Sequence, residues 1–276
     1  EIRDSLVGSE MCIRDRALAE WVANGRPPYD LWPVDIRRFG KPHQDLEWVR
    51  KRTYEAYAKH YTMAWPFEEN SSVREFKISP IYEKLKNSNA CFGEKMGWER
   101  PNWFAPKGSE PRDIYSFDRQ NWFEFVGNEV KAARESAVII DQTSFAKFIV
   151  SGKDSLQALE YLCANKIDRP IGSTIYTQML NDDGGIECDL TITVIDKNTF
   201  YIITGTGFMT HDYDWIISNI PNNLEVEVKN ITFDNSVFSL MGPNSRKILQ
   251  GLTNTDLSND NCLLYTSDAA DESACV

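Results

Sequence analysis

The chain has 276 residues, of which 42% are apolar and 26% are charged, which is the composition of a globular protein with one large or two small domains. Its formal net charge of −11 argues against a nucleic-acid-binding surface, which would need clustered lysine and arginine. The sequence contains no apolar run of about eighteen residues, so we expect neither a transmembrane helix nor a membrane partner.

Both ends of the chain resemble translated sequencing adapter. Residues 11–16 (Met-Cys-Ile-Arg-Asp-Arg) and 262–267 (Cys-Leu-Leu-Tyr-Thr-Ser) can be encoded by DNA strings that are reverse complements over most of their length. Both strings match a transposon-end adapter, in opposite orientations. We therefore predict that residues 1–16 and 262–276 are translated adapter, and we exclude them from the prediction of the fold.

The cysteines between these ends give no sign of a disulfide framework or a metal site. Cys91, Cys163 and Cys188 are widely separated and form no Cys-x-x-Cys pair. This pattern fits a reducing compartment. We predict no metal ligands.

The first half of the chain alternates predicted helices with breaks. Apolar residues recur at helical spacing in His43–Tyr61. A break is predicted at Pro66–Ser72 and a domain boundary near Ser79, where Pro80 suits the first residue of a short helix. Gly93–Pro111 is rich in glycine, proline and tryptophan and predicts a long ordered loop. The other elements predicted here are helices over 17–24, 80–86 and 124–134 and strands over 137–141 and 147–151.

The second half predicts hairpins interleaved with single helices. Asn181–Gly185 is typical of a hairpin turn between two strands. The predicted strands are 174–180, 186–195, 200–204, 225–232 and 237–241, and the predicted helices are 154–163, 210–220 and 244–252. Such a mixture indicates an α+β fold with antiparallel sheet.

The strand Ile186–Ile195 has two chemically different faces. Cys188, Leu190 and their alternate neighbours form an apolar face, which predicts core packing. Glu187, Asp189 and the threonines form the other. That polar face either meets solvent or lines a cleft in which a carboxylate such as Asp189 can transfer protons. Periodicity alone leaves both alternatives open.

Other motifs are weaker evidence for a catalytic or binding site. Gly205-Thr206-Gly207 follows a strand, but a dinucleotide loop would need its third glycine at Thr210. His211 and Asp212 are interpreted as a polar pair at a helix start, because neighbouring helical residues point in different directions. His43 and His60 lack partners at metal-binding spacing.

Several motifs resemble those of the flavin-dependent dimethylglycine and sarcosine dehydrogenases. Asp30–Phe39 is similar to the end of the family's flavin domain, and the remaining motifs are similar to its folate domain. These motifs are Ser79–Leu85, Phe92–Phe104, Arg134–Ser136, Ile140–Lys147, Tyr176–Leu180, Ile202–Trp215 and Ser239–Arg246. Together they cover nearly the whole chain between its adapter-like ends.

The resemblance implies a division of function. In the family, an N-terminal flavin domain oxidises an N-methyl group, and a domain similar to glycine-cleavage aminomethyltransferase transfers the one-carbon unit to tetrahydrofolate. Residues 17–78 would then be the C-terminal tail of the FAD-dependent oxidoreductase domain with its linker. Residues 79–261 would be the N-terminal part of the tetrahydrofolate-binding domain. FAD would be bound by a domain that precedes this chain, and the fragment alone is expected to be inactive.

The resemblance also assigns roles to individual residues. Asp189 falls on the acidic position of the family pattern Gly-Gly-Ile-x-x-Asp-Leu. It is implied to hydrogen-bond the pterin-side nitrogens and to transfer a proton as the one-carbon unit is captured. Tyr201 and Ile203, on the neighbouring strand, are implied to contact folate. Cys188 stands where the aminomethyltransferases often carry a second aspartate.

Two alternatives to an oxidative N-demethylase stay open: a stand-alone folate-dependent aminomethyltransferase or demethylase, and a non-catalytic folate-domain relative. Ala17–Phe39 favours the N-demethylase, since a stand-alone transferase would begin near Ser79. We expect a methylated amine and folate as small-molecule partners, with an electron-acceptor flavoprotein for the full-length enzyme. The expected location is the cytoplasm of a bacterium or the mitochondrial matrix of a eukaryote.

Overall fold

The computed structural model describes residues 15–258, so the adapter predictions for residues 1–14 and 262–276 lie outside the described residues. The chain divides into two compact units, each made of two separate stretches. Among the described residues, unit 1 comprises 15–50 and 146–230, and unit 2 comprises 51–145 and 231–258. Within the described ranges, no helix combines the length and apolar character needed to cross a membrane.

The described residues form helices and strands close to the predicted ones. The helices are α1 (15–24), α2 (Leu46–Lys59), α3 (Tyr82–Asn87), α4 (Phe123–Glu135), α5 (Ser155–Leu162), α6 (Met209–Asn219) and α7 (Ser245–Gln250). The strands are β1 (Ala90–Lys95), β2 (Trp98–Phe104), β3 (Val138–Asp141), β4 (Ala146–Ser151), β5 (Thr174–Leu180), β6 (Ile186–Asp196), β7 (Thr199–Thr204), β8 (Glu227–Asn230) and β9 (Phe238–Met241).

Unit 1 is built on a five-stranded antiparallel sheet with the strand order β5-β6-β7-β4-β8. The β5–β6 and β6–β7 pairs are sequential hairpins, and β4 joins the sheet beside β7. The mixture of such hairpins with helices α5 and α6 confirms the predicted α+β architecture with antiparallel sheet.

One face of this sheet carries the core of unit 1. The alternation predicted for β6 is observed: Cys188, Leu190, Ile192 and Val194 are all buried. Residues of α5 and α6 join the same apolar cluster. Each fully buried side chain of this size contributes about 1.5–3 kcal/mol. The core therefore fixes which face of β6 is left for polar residues.

In unit 2, the predicted loop over Gly93–Pro111 is wrong over most of its length. Strands β1 and β2 form an antiparallel hairpin there. Met96 and Gly97 make the turn with positive φ angles of 53° and 84°, the backbone geometry of a tight hairpin turn. Proline disfavours a central strand, but Pro101 lies in a two-stranded sheet where both strands are edges. A second two-stranded sheet pairs β3 with β9.

Candidate functional site

The turn between β5 and β6 is organised by one asparagine. The Asn181 side-chain oxygen accepts hydrogen bonds from the backbone N–H groups of Asp183 (3.1 Å) and Gly185 (2.8 Å). Gly184 has a φ angle of +81°, which glycine adopts without strain. The Asn181 side-chain N–H donates to Glu187 Oε1 at 2.9 Å. The sequence therefore builds a defined turn directly before the polar face of β6.

Asp189 lies on the face of the sheet that is opposite the core. It pairs in register with Gln178 on β5, whose side-chain N–H donates to Asp189 Oδ1 at 3.3 Å. A hydrogen bond from the Tyr176 hydroxyl to the Asp189 carboxylate raises the pKa of Tyr176 above its ordinary value. The Asp189 carboxylate is thus held by two neighbours on β5. Because Asp189 is exposed, its carboxylate is still accessible to a ligand.

Tyr201 and Ile203 share this face with Asp189. Ile203 pairs with Thr191, two residues along β6 from Asp189, which puts Asp189 and Ile203 in a diagonal relation of about 7–8 Å. Tyr201 lies two residues further along β7. Both side chains are half-buried, and burial raises the pKa of Tyr201. The structure thus brings all three predicted residues onto one sheet face.

The face becomes less accessible from Asp189 on β6 toward β4. Asp189 is exposed and Ile203 is half-buried, whereas Lys147, the β4 residue paired with Ile203, is completely buried. The face is therefore neither a fully solvated surface nor part of the core. Two cavities of about 380 and 410 Å³ lie in unit 2, and neither is lined by the three predicted residues.

A second polar cluster connects β6, β7 and α6, and sequence reasoning did not identify it. Asp212 is buried and accepts a hydrogen bond from the Thr204 hydroxyl at 2.5 Å. His211 Nδ1 lies 2.9 Å from Asp212 Oδ1, and His211 Nε2 lies 3.5 Å from Glu187 Oε2. His211 and Asp212 do form a polar pair at the start of α6, but the expectation that neighbouring helical side chains point in different directions was wrong here, because the two side chains contact each other.

The protonation of this cluster follows from its surroundings. Burial alone lowers the pKa of His211, but the hydrogen bond and charge of Asp212, with the charge of Glu187, outweigh burial and raise that pKa above its ordinary value. Burial and the nearby Asp212 carboxylate raise the pKa of the Cys188 thiol well above its ordinary range. The surroundings thus favour the charged form of His211 more strongly than in a free imidazole, and they favour the neutral thiol of Cys188.

The cluster has the composition of a metal site, since one ligand-type atom from each of Cys188, His211 and Asp212 lies within 4.8 Å of the others. Both Asp212 oxygens already face hydrogen-bonding partners, however. We therefore interpret these residues as a hydrogen-bonded cluster.

A segment that follows α1 packs on the same part of unit 1. The Trp32 ring meets His211 edge to face, with ring centroids 4.7 Å apart. Arg37 makes a 2.8 Å ion pair with Asp214 on α6 and also contacts the buried carboxylate of Asp35. These contacts attach the segment to α6 beside the polar cluster.

Comparison with known proteins identifies two parts of the chain. Residues 81–274 match the family described as the GCVT N-terminal domain. The chain belongs to the GCVT N-terminal domain family. Residues 24–79, which include Trp32 and Arg37, match the family described as the FAD dependent oxidoreductase central domain.

Known relatives of the GCVT chain agree with this assignment. This chain is 36% identical over 245 residues to human mitochondrial dimethylglycine dehydrogenase and 31% identical over 282 residues to mouse mitochondrial sarcosine dehydrogenase. These alignments cover 88% of this chain but only 28% and 31% of the relatives. The crystal structure of the glycine cleavage system aminomethyltransferase T from Bartonella henselae has a similar fold, with a TM-score of 0.53 and 21% identity over 64% of this chain and 44% of that one.

These findings confirm the predicted resemblance to dimethylglycine and sarcosine dehydrogenases and the aminomethyltransferase-like fold. The folate roles of Asp189, Tyr201 and Ile203, the domain boundaries and the adapter origin of the ends stay predictions.

Proposed function

We propose that this chain is part of an oxidative N-demethylase of the dimethylglycine or sarcosine dehydrogenase type. In the proposal, FAD chemistry in a preceding domain oxidises the methylated amine, and the GCVT domain transfers the one-carbon unit to tetrahydrofolate, giving 5,10-methylenetetrahydrofolate. One observation carries the folate assignment. An accessible carboxylate, Asp189, stands at the family's acidic position on a sheet face that also presents Tyr201 and Ile203.

This face suits an elongated ligand that has both aromatic and polar parts. Asp189 and Gln178 offer a hydrogen-bond acceptor and an amide at one end of the row. Tyr201 and Ile203 offer half-buried apolar surface further along it. Tyrosine and isoleucine side chains pack against flat rings, whereas a carboxylate orients ring N–H groups. The residues present therefore fit tetrahydrofolate.

Proton balance gives Asp189 its proposed task. When one carbon becomes bonded to two folate nitrogens, each nitrogen loses a proton, and the amine that carried the carbon departs with both. A carboxylate beside the nitrogens can accept one of these protons and return it to the departing amine. Because Asp189 is exposed rather than buried in this chain, ligand binding itself would supply the desolvation that strengthens this interaction.

The decisive experiment uses the full-length protein that contains this chain, with dimethylglycine or sarcosine as substrate. Asp189→Asn keeps the size of the side chain and removes its charge. We expect methylenetetrahydrofolate formation to fall by about 10²–10⁴-fold, the usual contribution of a positioned acid–base group, and free formaldehyde to rise. The matched control is Asp183→Asn, the same substitution at an exposed turn residue six positions away. Unchanged folate product with Asp189→Asn would remove the role assigned to this residue.

The FAD dependent oxidoreductase central domain match over residues 24–79 favours this proposal over a stand-alone aminomethyltransferase. A non-catalytic relative is distinguished by the same assay, because it would oxidise neither substrate. The proposed partners are the methylated amine, tetrahydrofolate and an electron-acceptor flavoprotein. The proposed location is bacterial cytoplasm or, in a eukaryote, the mitochondrial matrix.

A further inference from the structure

We propose that His211, held as an imidazolium between two carboxylates, is a positioning residue that fixes the β5–β6 hairpin and thereby Asp189. This inference rests on the proposed function of Asp189, but its central test needs no folate. Three features of the structure carry it: the flanking carboxylates, the contacts that lead from His211 to the hairpin, and the burial of the cluster.

The first feature is the arrangement around the imidazole ring. Nδ1 lies 2.9 Å from Asp212 Oδ1, and Nε2 lies 3.5 Å from Glu187 Oε2. An ionised carboxylate only accepts hydrogen bonds, and a carboxylate oxygen lies beside each ring nitrogen, so a proton on each nitrogen is the form that suits this arrangement. The Thr204 hydroxyl already donates to the second oxygen of Asp212. The geometry therefore favours the doubly protonated ring.

The second feature is a continuous series of contacts to the hairpin. Glu187, which faces His211, accepts a hydrogen bond from the Asn181 side chain at 2.9 Å. Asn181 in turn orders the β5–β6 turn through the backbone N–H groups of Asp183 and Gly185. On the other side of the cluster, Thr204 Oγ1 lies 3.4 Å from the Asp189 backbone oxygen. His211 thus connects α6 to the strand that carries Asp189 at two places.

The third feature is that the cluster is largely withdrawn from water. The Asp212 side chain is 1% exposed and the His211 side chain 14% exposed. Breaking a buried charge pair by removing one partner is strongly destabilising, because the other charge is left without compensation. Removing the His211 ring would therefore leave the buried Asp212 carboxyl without its neighbour at Oδ1.

The groups that face His211 determine how pH acts on it. Asp212 comes from α6, Glu187 and the neutral thiol of Cys188 come from β6, and Asp30 comes from the segment before the Trp32 turn. The carboxylates raise the pKa of His211 in the folded state. The stabilisation from the charged ring is therefore complete below the unfolded value of about 6.5 and is lost as pH rises through the raised folded value.

Nuclear magnetic resonance of this 276-residue chain tests the proposal, because its sequence contains only three histidines, His43, His60 and His211. His43→Gln and His60→Gln assign two of the imidazole signals and leave the third to His211 without altering the cluster. We expect His211 to titrate above about 6.5. The backbone amides of Asn181, Glu187 and Asp189 are expected to shift with the same midpoint.

Glu187→Gln provides the second arm of the test, since it removes one flanking charge and keeps the side-chain size. We expect it to lower the His211 midpoint, whereas Asp183→Asn leaves it unchanged. In the full-length enzyme, His211→Gln is expected to lower kcat/KM for tetrahydrofolate by about 10- to 100-fold, mainly through KM, as expected for a displaced binding group. His60→Gln is the histidine control, and His60 is exposed.

A His211 midpoint at or below the ordinary value, or hairpin amides that do not follow it, would overturn the positioning role. Those outcomes leave the proposed function intact, because they involve no folate. Conversely, an Asp189→Asn enzyme with full folate activity overturns the proposed function whatever His211 does.

Discussion

Replacing Thr204 by valine tests the buried part of the polar cluster most directly. The Thr204 hydroxyl donates to Asp212 Oδ2 at 2.5 Å, and both residues are buried, with 3% and 1% of their surfaces exposed. Hydrogen bonds to charged groups contribute about 1.5–3 kcal/mol, and valine has nearly the shape of threonine, so no cavity opens. We expect Thr204→Val to lower the free energy of unfolding by about 2 kcal/mol.

Urea unfolding followed by circular dichroism, with hydrogen exchange of β6 and β7 amides, measures this loss. For a urea dependence of about 1–3 kcal/mol per molar, a loss of this size moves the midpoint by about 1 M. Thr204→Ser keeps the hydroxyl and should recover most of the loss. Thr193→Val removes a hydroxyl from an exposed pair with Thr174 at 3.1 Å and should change stability by less than about 0.5 kcal/mol. Equal destabilisation by Thr204→Val and Thr204→Ser would refute the hydrogen-bond explanation.

Two further predictions concern backbone geometry and pH. Gly184→Ala should destabilise the chain by about 1 kcal/mol, because the φ angle of Gly184 in the turn is +81°. Gly127→Ala in α4 should instead stabilise the chain by about 0.5–1 kcal/mol, because the added methyl group meets open space. Thermal unfolding of both variants measures the contrast, and equal effects would contradict it. Burial raises the pKa of Glu55, but hydrogen bonds from Lys59 and from the Ser71 backbone outweigh it and hold that pKa well below its ordinary value. Its stabilisation is complete above about pH 4.5 and declines as pH falls toward the lowered folded value, so Glu55→Gln should lower the melting temperature more at pH 7 than at pH 3; an equal loss at the two pH values would refute this.

Local patterns in the sequence determined much of unit 1. The alternation along Ile186–Ile195 predicted which residues of β6 are buried, because successive side chains in a strand point to opposite faces. The asparagine- and glycine-rich stretch after β5 predicted the hairpin turn, since Gly184 needs a positive φ angle. The family motif added the candidate role of Asp189, which periodicity could not supply.

Prediction from the local sequence failed where strand pairing compensates for residues that are unfavourable in a strand. Glycine, proline and tryptophan in Gly93–Pro111 indicated a loop, yet β1 and β2 pair through most of it. Edge strands tolerate Pro101, and Trp103 packs in a buried cluster with Cys91, so tertiary packing outweighs the local signal.

The sequence by itself determined the α+β class, the two-faced strand β6 and the acidic residue at its family position. Only the tertiary structure decided that Asp189 is accessible beside Gln178 and that His211 lies between Asp212 and Glu187. The physical reason is that strand periodicity and turn chemistry act between near neighbours in the chain. The contacts of His211 instead depend on how α6 packs against the end of the sheet, which no local pattern encodes.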